Sequence, residues 1–135
     1  MTKDYALHQF FNSFGLPGYP ASSVPDDVIF PYLTYELVLG AWGDENALTV
    51  NLWYYTESEA IPTAKAQEIS DVIGMGGKIL LCDGGALWIK RGSPWCQNLR
   101  DETNATIKRR YLNITVETLT PNLGGFACLN LQESR

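Results

Sequence analysis

Apolar residues in the first fourteen positions recur at helical spacing. Leu7, Phe10, Phe11 and Phe14 stand at i, i+3, i+4 and i+7, which predicts an amphipathic helix over residues 4–14 that Gly15 stops. The pattern then breaks. Residues 16–31 hold Pro17, Pro20, Pro25 and Pro31 and read as an irregular but stiff connection, long enough to suggest that it docks onto something. From Tyr32 the period becomes two. Leu33, Tyr35, Leu37 and Leu39 share one face of a first strand over residues 32–39, and Leu48, Val50, Leu52 and Tyr54 share one face of a second over residues 47–55. Between these strands, residues 40–46 form a hairpin loop carrying Trp42, Asp44 and Glu45, so the pair is antiparallel.

A second helix follows, capped by Ser58 and tolerating Pro62 in its first turn. Ile61, Ala64, Ile69, Val72 and Ile73 are expected to line its buried side, with Lys65, Gln67, Glu68 and Asp71 toward water. Gly74, Gly76 and Gly77 end it. Strands over residues 78–82 and 85–90 then flank Asp83-Gly84, a strong hairpin signal. The last strand, over residues 107–120, sets Leu112, Ile114 and Val116 on one face and Arg109, Tyr111, Asn113, Thr115 and Glu117 on the other. The order is α-β-β-α-β-β-β. It predicts a two-layer α+β domain over residues 1–120, with two helices on one face of a mainly antiparallel five-stranded sheet, and a loosely ordered tail over residues 121–135. The other sheet face would carry Thr49, Asn51, Trp53, Tyr55, Arg109, Tyr111, Asn113 and Thr115. That mixture is too aromatic for a solvated face and too polar for a core. Either it is an interface or the proline-rich connection folds over it.

Composition narrows the functional classes. At 135 residues, 45% of them apolar and 19% charged, the chain has enough material for one core without disulfides or metal. Its net charge of −5 argues against a protein whose task is to grip nucleic-acid phosphates. The charge is split: residues up to Gly85 sum to −8 and those from Ala86 onward to +3. The basic part is concentrated in Lys90-Arg91 and Lys108-Arg109-Arg110. It reads as a nucleic-acid patch, a solvated rim, or a surface for the acidic side of an identical neighbour. No apolar run is long enough to span a bilayer. Residues 1–5 lack the basic, apolar start of a signal peptide, so the expected setting is a cytoplasm.

Catalytic signals are weak. Cys82, Cys96 and Cys128 are odd in number and widely spaced, which fits reduced, packed thiols. His8 lies off the apolar stripe, and every common Ser-His or Cys-His pair would have to run through it. The residues 74–77 glycines follow a helix and precede a strand, the reverse of a dinucleotide fingerprint. Asp26-Asp27, Asp44-Glu45 and Asp101-Glu102 are loop neighbours whose side chains point apart, leaving at most a weak divalent-ion site. An aromatic small-ligand pocket around Trp42, Trp53 and Trp88 is the alternative from a different class.

Several segments together resemble a known family. Tyr19-Pro20 with Val24-Pro25, Phe30-Pro31-Tyr32-Leu33-Thr34-Tyr35, Trp53-Tyr54 before the Ser58 helix, Arg91-Gly92-Ser93-Pro94-Trp95-Cys96-Gln97 and Ile107-Lys108-Arg109-Arg110-Tyr111-Leu112-Asn113 are similar to tail terminator (tail completion) proteins of long-tailed bacteriophages and prophages. The likeness spans residues 5–120. It implies a virion protein, assembled in the host cytoplasm, that forms a hexameric ring on the head-proximal end of the tail tube. That ring stops tube growth and joins the head connector, and DNA passes through it without specific contacts. It has no active site, no cofactor, no bound metal and no membrane. On this reading the aromatic sheet face and a loop over residues 91–101 make the ring and tube contacts, with Trp53, Tyr55, Arg91, Trp95, Arg109 and Tyr111 as anchors. A head closure or adaptor protein on the other side of the same joint is the near alternative.

Overall fold

The phenylalanine stripe folds as its spacing predicts. Helix α1 (Lys3–Phe11) is capped by Thr2, whose side-chain oxygen accepts from the Tyr5 amide at 3.1 Å. It tightens into a 3₁₀ turn over Asn12–Phe14, and Gly15, at φ +86°, ends it in the left-handed region. The structure, a computed structural model, describes residues 1–38, 46–100 and 103–119.

Six strands follow where five were expected. They are β1 (Gly18–Pro20), β2 (Tyr32–Val38), β3 (Asn46–Tyr55), β4 (Lys78–Cys82), β5 (Gly85–Arg100) and β6 (Ile107–Leu119), with helix α2 (Ala60–Ile73) between β3 and β4. The spatial order is β1-β2-β3-β6-β5-β4. Neighbours are antiparallel except β1 and β2, so the sheet is mixed. The additional strand comes from the proline-rich connection. Proline cannot donate to a ladder, but at a sheet edge only one side must pair. Here the Leu33 amide donates to the Pro17 carbonyl and the Ala21 amide to the Tyr35 carbonyl, both at 2.9 Å, so Pro20 is accommodated between them.

Of residues 91–101, expected as a loop, 91–100 are strand instead. Residues up to Arg100 continue β5, interrupted by a bulge between Arg91 and Cys96. The thirteen-residue β6 offers backbone partners on both sides of that bulge. The bulge holds a cis Ser93–Pro94 bond, and the Asn113 side-chain amide donates to the Pro94 carbonyl at 2.7 Å.

Both helices lie on one side of the sheet. Helix α2 rests on β3, β5 and β6, while α1 touches β1 and β4, the two outermost strands, because the sheet curls round it. The core between them joins Leu7, Phe11, Leu33, Leu48, Val50, Leu52, Ile69, Ile73, Leu87, Ile89, Leu112 and Ile114. The buried stripe of α2 differs from the expected one. Pro62, Ala66, Ile69 and Ile73 face the sheet together with Ser70, whereas Ile61, Ala64 and Val72 are exposed. The stripe follows i, i+4, i+7 and i+11, and Ile61 and Val72 flank it. Nor does Ser58 cap the helix as expected: Glu59 occupies that position without a side-chain cap bond, and the Ser58 hydroxyl instead accepts from the Ala60 amide at 3.2 Å. No described helix is long and apolar enough to cross a membrane. Leu39, the loop with Trp42, Asp44 and Glu45, Asp101-Glu102, Cys128 and the tail over residues 121–135 lie outside the described residues.

Candidate functional site

Strand alternation divides the sheet's side chains between two environments. Leu48, Val50, Leu52 and Tyr54 of β3 and Leu112, Ile114 and Val116 of β6 are buried against the helices. The residues between them point away. The register aligns Tyr32, Trp53 and Arg109 in one row across β2, β3 and β6, and Thr34, Asn51, Tyr111 and Gln97 in the next. This outer face is the one foreseen from the sequence, and it gathers Trp53, Tyr55, Arg109 and Tyr111 together.

Its centre is a stack. The Trp53 ring lies parallel to Tyr32 at a centroid distance of 6.0 Å, and the Arg109 guanidinium sits 5.2 Å from the Trp53 centroid. The Trp53 indole N–H donates to the Thr34 hydroxyl at 3.1 Å, fixing the ring in its plane. Phe30, at the end of the proline-rich connection, packs on Tyr32 at 5.3 Å and on Tyr55 at 5.9 Å, and Tyr19 approaches the edge of Tyr32 at 6.3 Å. The connection thus contributes two rings, Phe30 and Tyr19, to a corner of this face and a strand to the sheet edge. Tyr55 remains 59% exposed, and Trp53, Arg109 and Tyr111 are half-buried. Burial among its neighbours raises the Tyr32 phenol above its ordinary pKa. Among the described residues the Arg109 side chain makes no hydrogen bond or ion pair, so its donors are available to a ligand's acceptors.

The two anchors expected in the 91–101 segment, Arg91 and Trp95, stand apart from this stack. Arg91 shares its register with buried Ile114, and it donates to the Ser70 hydroxyl of α2 at 2.8 Å, on the helix side. Trp95 sits in the β5 bulge and packs against the core, where its indole N–H finds no hydrogen-bond partner among the described residues. The Lys108-Arg109-Arg110 run is likewise not one patch. Alternation sends Arg109 outward, while Lys108 and Arg110 turn under α2 and are buried. Arg110, 1% exposed, donates to the Glu59 carboxylate at 2.7 Å and to the Thr63 hydroxyl and Glu59 carbonyl at 3.2 Å. Lys108 donates to the Ala105 carbonyl and lies 3.9 Å from the same carboxylate. The parity of Leu112, Ile114 and Val116 already assigns Arg110 to that side, and the parity of Leu33 and Tyr35 assigns Tyr32 to the outer face. Both were legible in the alternation.

The remaining chemistry is sparse. His8 is exposed, with Nδ1 3.3 Å from the Tyr35 hydroxyl. Among the described residues no three His, Cys, Asp or Glu side chains converge as metal ligands. Cys82 and Cys96 are free thiols, and burial pushes the Cys96 thiol up, opposed by nearby Arg110. Trp53 and Trp88 do not line one pocket. They pair with Arg109 and Glu117, eight residues apart on β6, or roughly 26 Å at the usual strand rise. A cleft of about 400 Å³ lies between the start of α1 and the β2 edge, with Asp4, Leu7, Pro20, Tyr35 and Glu36 among its walls. In comparisons with known proteins, no family model matches the chain and no curated protein matches it.

Proposed function

We propose that the chain is a structural subunit of a bacteriophage tail, a tail terminator that assembles as a hexameric ring on the head-proximal end of the tail tube. The observation that carries this reading is the outer sheet face. A small α+β domain there leaves a platform of Trp53, Phe30, Tyr111 and Arg109 half-exposed and Tyr55 exposed around buried Tyr32, in the composition that protein interfaces favour. The segment likeness over residues 5–120 supplies the kind of assembly. Its role is mechanical: bound to the last tube ring, it blocks the surface on which the next tube subunit would add and presents its far side to the head connector. Trp53, Tyr55, Arg109 and Tyr111 are the contact residues of the sheet face, and Arg91, exposed beside α2, and Trp95, half-buried in the β5 bulge, are those of the 91–101 segment. The acidic sum of residues up to Gly85 suits a ring that passes DNA without holding it.

Adding the purified chain to growing tail tubes and viewing them by negative-stain microscopy tests this reading. Rings at one end and tubes of fixed length are expected. Tubes that keep growing with both ends bare would overturn it, and rings that bind an isolated head connector but no tube would move the protein to the other side of the joint. In the genome, the gene is expected immediately upstream of that for the major tail protein.

A further inference from the structure

The outer face has a second pole. Leu81, Ala86 and Leu119 form one row across β4, β5 and β6, and Ile79, Trp88 and Glu117 the next. Leu81 is 77% exposed, Ile79 46% and Leu119 37%. Among the described residues β4 pairs with β5 alone, and exposed aliphatic side chains on such an edge strand without proline are a surface that folded proteins ordinarily cover. The poles differ in charge as well as shape. The aromatic pole carries the Arg109 guanidinium without an ion pair among the described residues. The aliphatic pole carries the Glu117 carboxylate, its side chain 43% exposed and 3.6 Å from the Lys90 ammonium.

Arg109 and Glu117 share one strand and one face but stand eight residues apart. Roughly 26 Å of β6 keeps them from meeting within one molecule, so only a second molecule brings them together. We propose that a second copy of this chain binds head to tail, the aromatic pole around Trp53, Tyr55 and Arg109 of one copy receiving the aliphatic pole around Ile79, Leu81 and Glu117 of the next. The inference rests on the reading that the protein's first partner is another copy, and it assigns which surfaces meet. The contact is heterologous: each copy keeps one pole free after pairing, so copies add until a ring closes.

Sedimentation velocity on the full chain tests the contact, using Tyr55→Asp to spoil the aromatic pole and Leu81→Asp to spoil the aliphatic one. Both positions are exposed, and far-UV circular dichroism checks that both variants fold. The unaltered chain is expected to associate beyond a dimer as concentration rises, and each variant alone to associate about 30-fold more weakly, the effect of losing one interface anchor. An equal mixture of the two is expected to recover a dimer and stop there, because one intact pole of each kind remains. A second arm reverses the charges: Arg109→Glu and Glu117→Arg each weaken association, and the chain carrying both recovers it. A chain that stays monomeric at the highest attainable concentration, a Leu81→Asp variant that self-associates undiminished, or a mixture that recovers nothing overturns the proposal. A chain that pairs in this way yet leaves tail tubes uncapped keeps the contact and removes the terminator reading. Capping that survives both substitutions does the reverse.

Discussion

On β6 the inner and outer faces of the sheet are built from alternate residues of the same stretch of chain, and they obey opposite rules. Inward, Leu112, Ile114 and Val116 are sealed beneath α2, and the two cations there, Lys108 and Arg110, are held by α2 and a neighbouring carbonyl. Outward, Arg109, Tyr111 and Glu117 remain half-exposed, and the Arg109 guanidinium lies over the Trp53 ring with no ion pair among the described residues. Three consecutive basic residues therefore carry two different meanings. A buried cation needs a partner because losing water is costly, whereas a cation on a ring face at the surface keeps its donors for something that arrives.

Truncating one residue on each face separates the two faces most strongly. Leu112→Ala, at a fully buried site, is expected to cost about 4 kcal/mol in chemical denaturation. Tyr55→Ser on the outer face is expected to stay within about 0.5 kcal/mol, while weakening any assembly that uses that face. Equal costs would mean that the outer face is part of the core.

Next in size is the asymmetry of the inner ion pair. Glu59→Ala leaves Arg110 buried with only carbonyl and hydroxyl acceptors and is expected to cost about 3 kcal/mol. Arg110→Met leaves Glu59 in water, where it is already 66% exposed, and is expected to cost less than about 1 kcal/mol or to stabilise. Thermal and urea midpoints of the two variants decide it, and the reverse order would show that the pair is worth more than the burial it requires.

The smallest effect is a pH dependence. Burial raises the phenols of Tyr35 and Tyr54 on the helix face above the ordinary 10.0, helped by the carboxylates of Asp4 and Glu68 respectively, and burial alone raises Tyr32. A raised folded-state pKa means that the folded chain holds these protons more tightly than the unfolded one. The stability they contribute is complete below pH 10 and is lost as pH rises through the raised folded values. Tyrosinate absorbance followed beside circular dichroism should show part of the tyrosine signal appearing only as the fold is lost. Full ionisation of every tyrosine before any loss of structure would contradict it.

Much of this division was written in the order of residues. A period of 3.6 over Leu7 to Phe14 and a period of two over residues 32–39, 47–55 and 107–119 are local patterns, and they determined both helices, the principal strands and the membership of each sheet face. Arg109 and Trp53 were legible as outward for the same reason. What local pattern does not carry is who sits beside whom. Gly18–Pro20 becomes a strand only because β2 offers it an edge, and residues 91–100 continue β5 only because β6 is long enough to pair with them. Arg110 is tolerable in the interior only because Glu59, fifty-one residues earlier, begins the helix above it. Those outcomes depend on hydrogen-bond and charge partners distant in sequence. Alternation already sent Arg109 outward and Lys108 and Arg110 inward, but a buried cation needs acceptors that the fold brings near it, so only the tertiary structure decided how the inward two are satisfied.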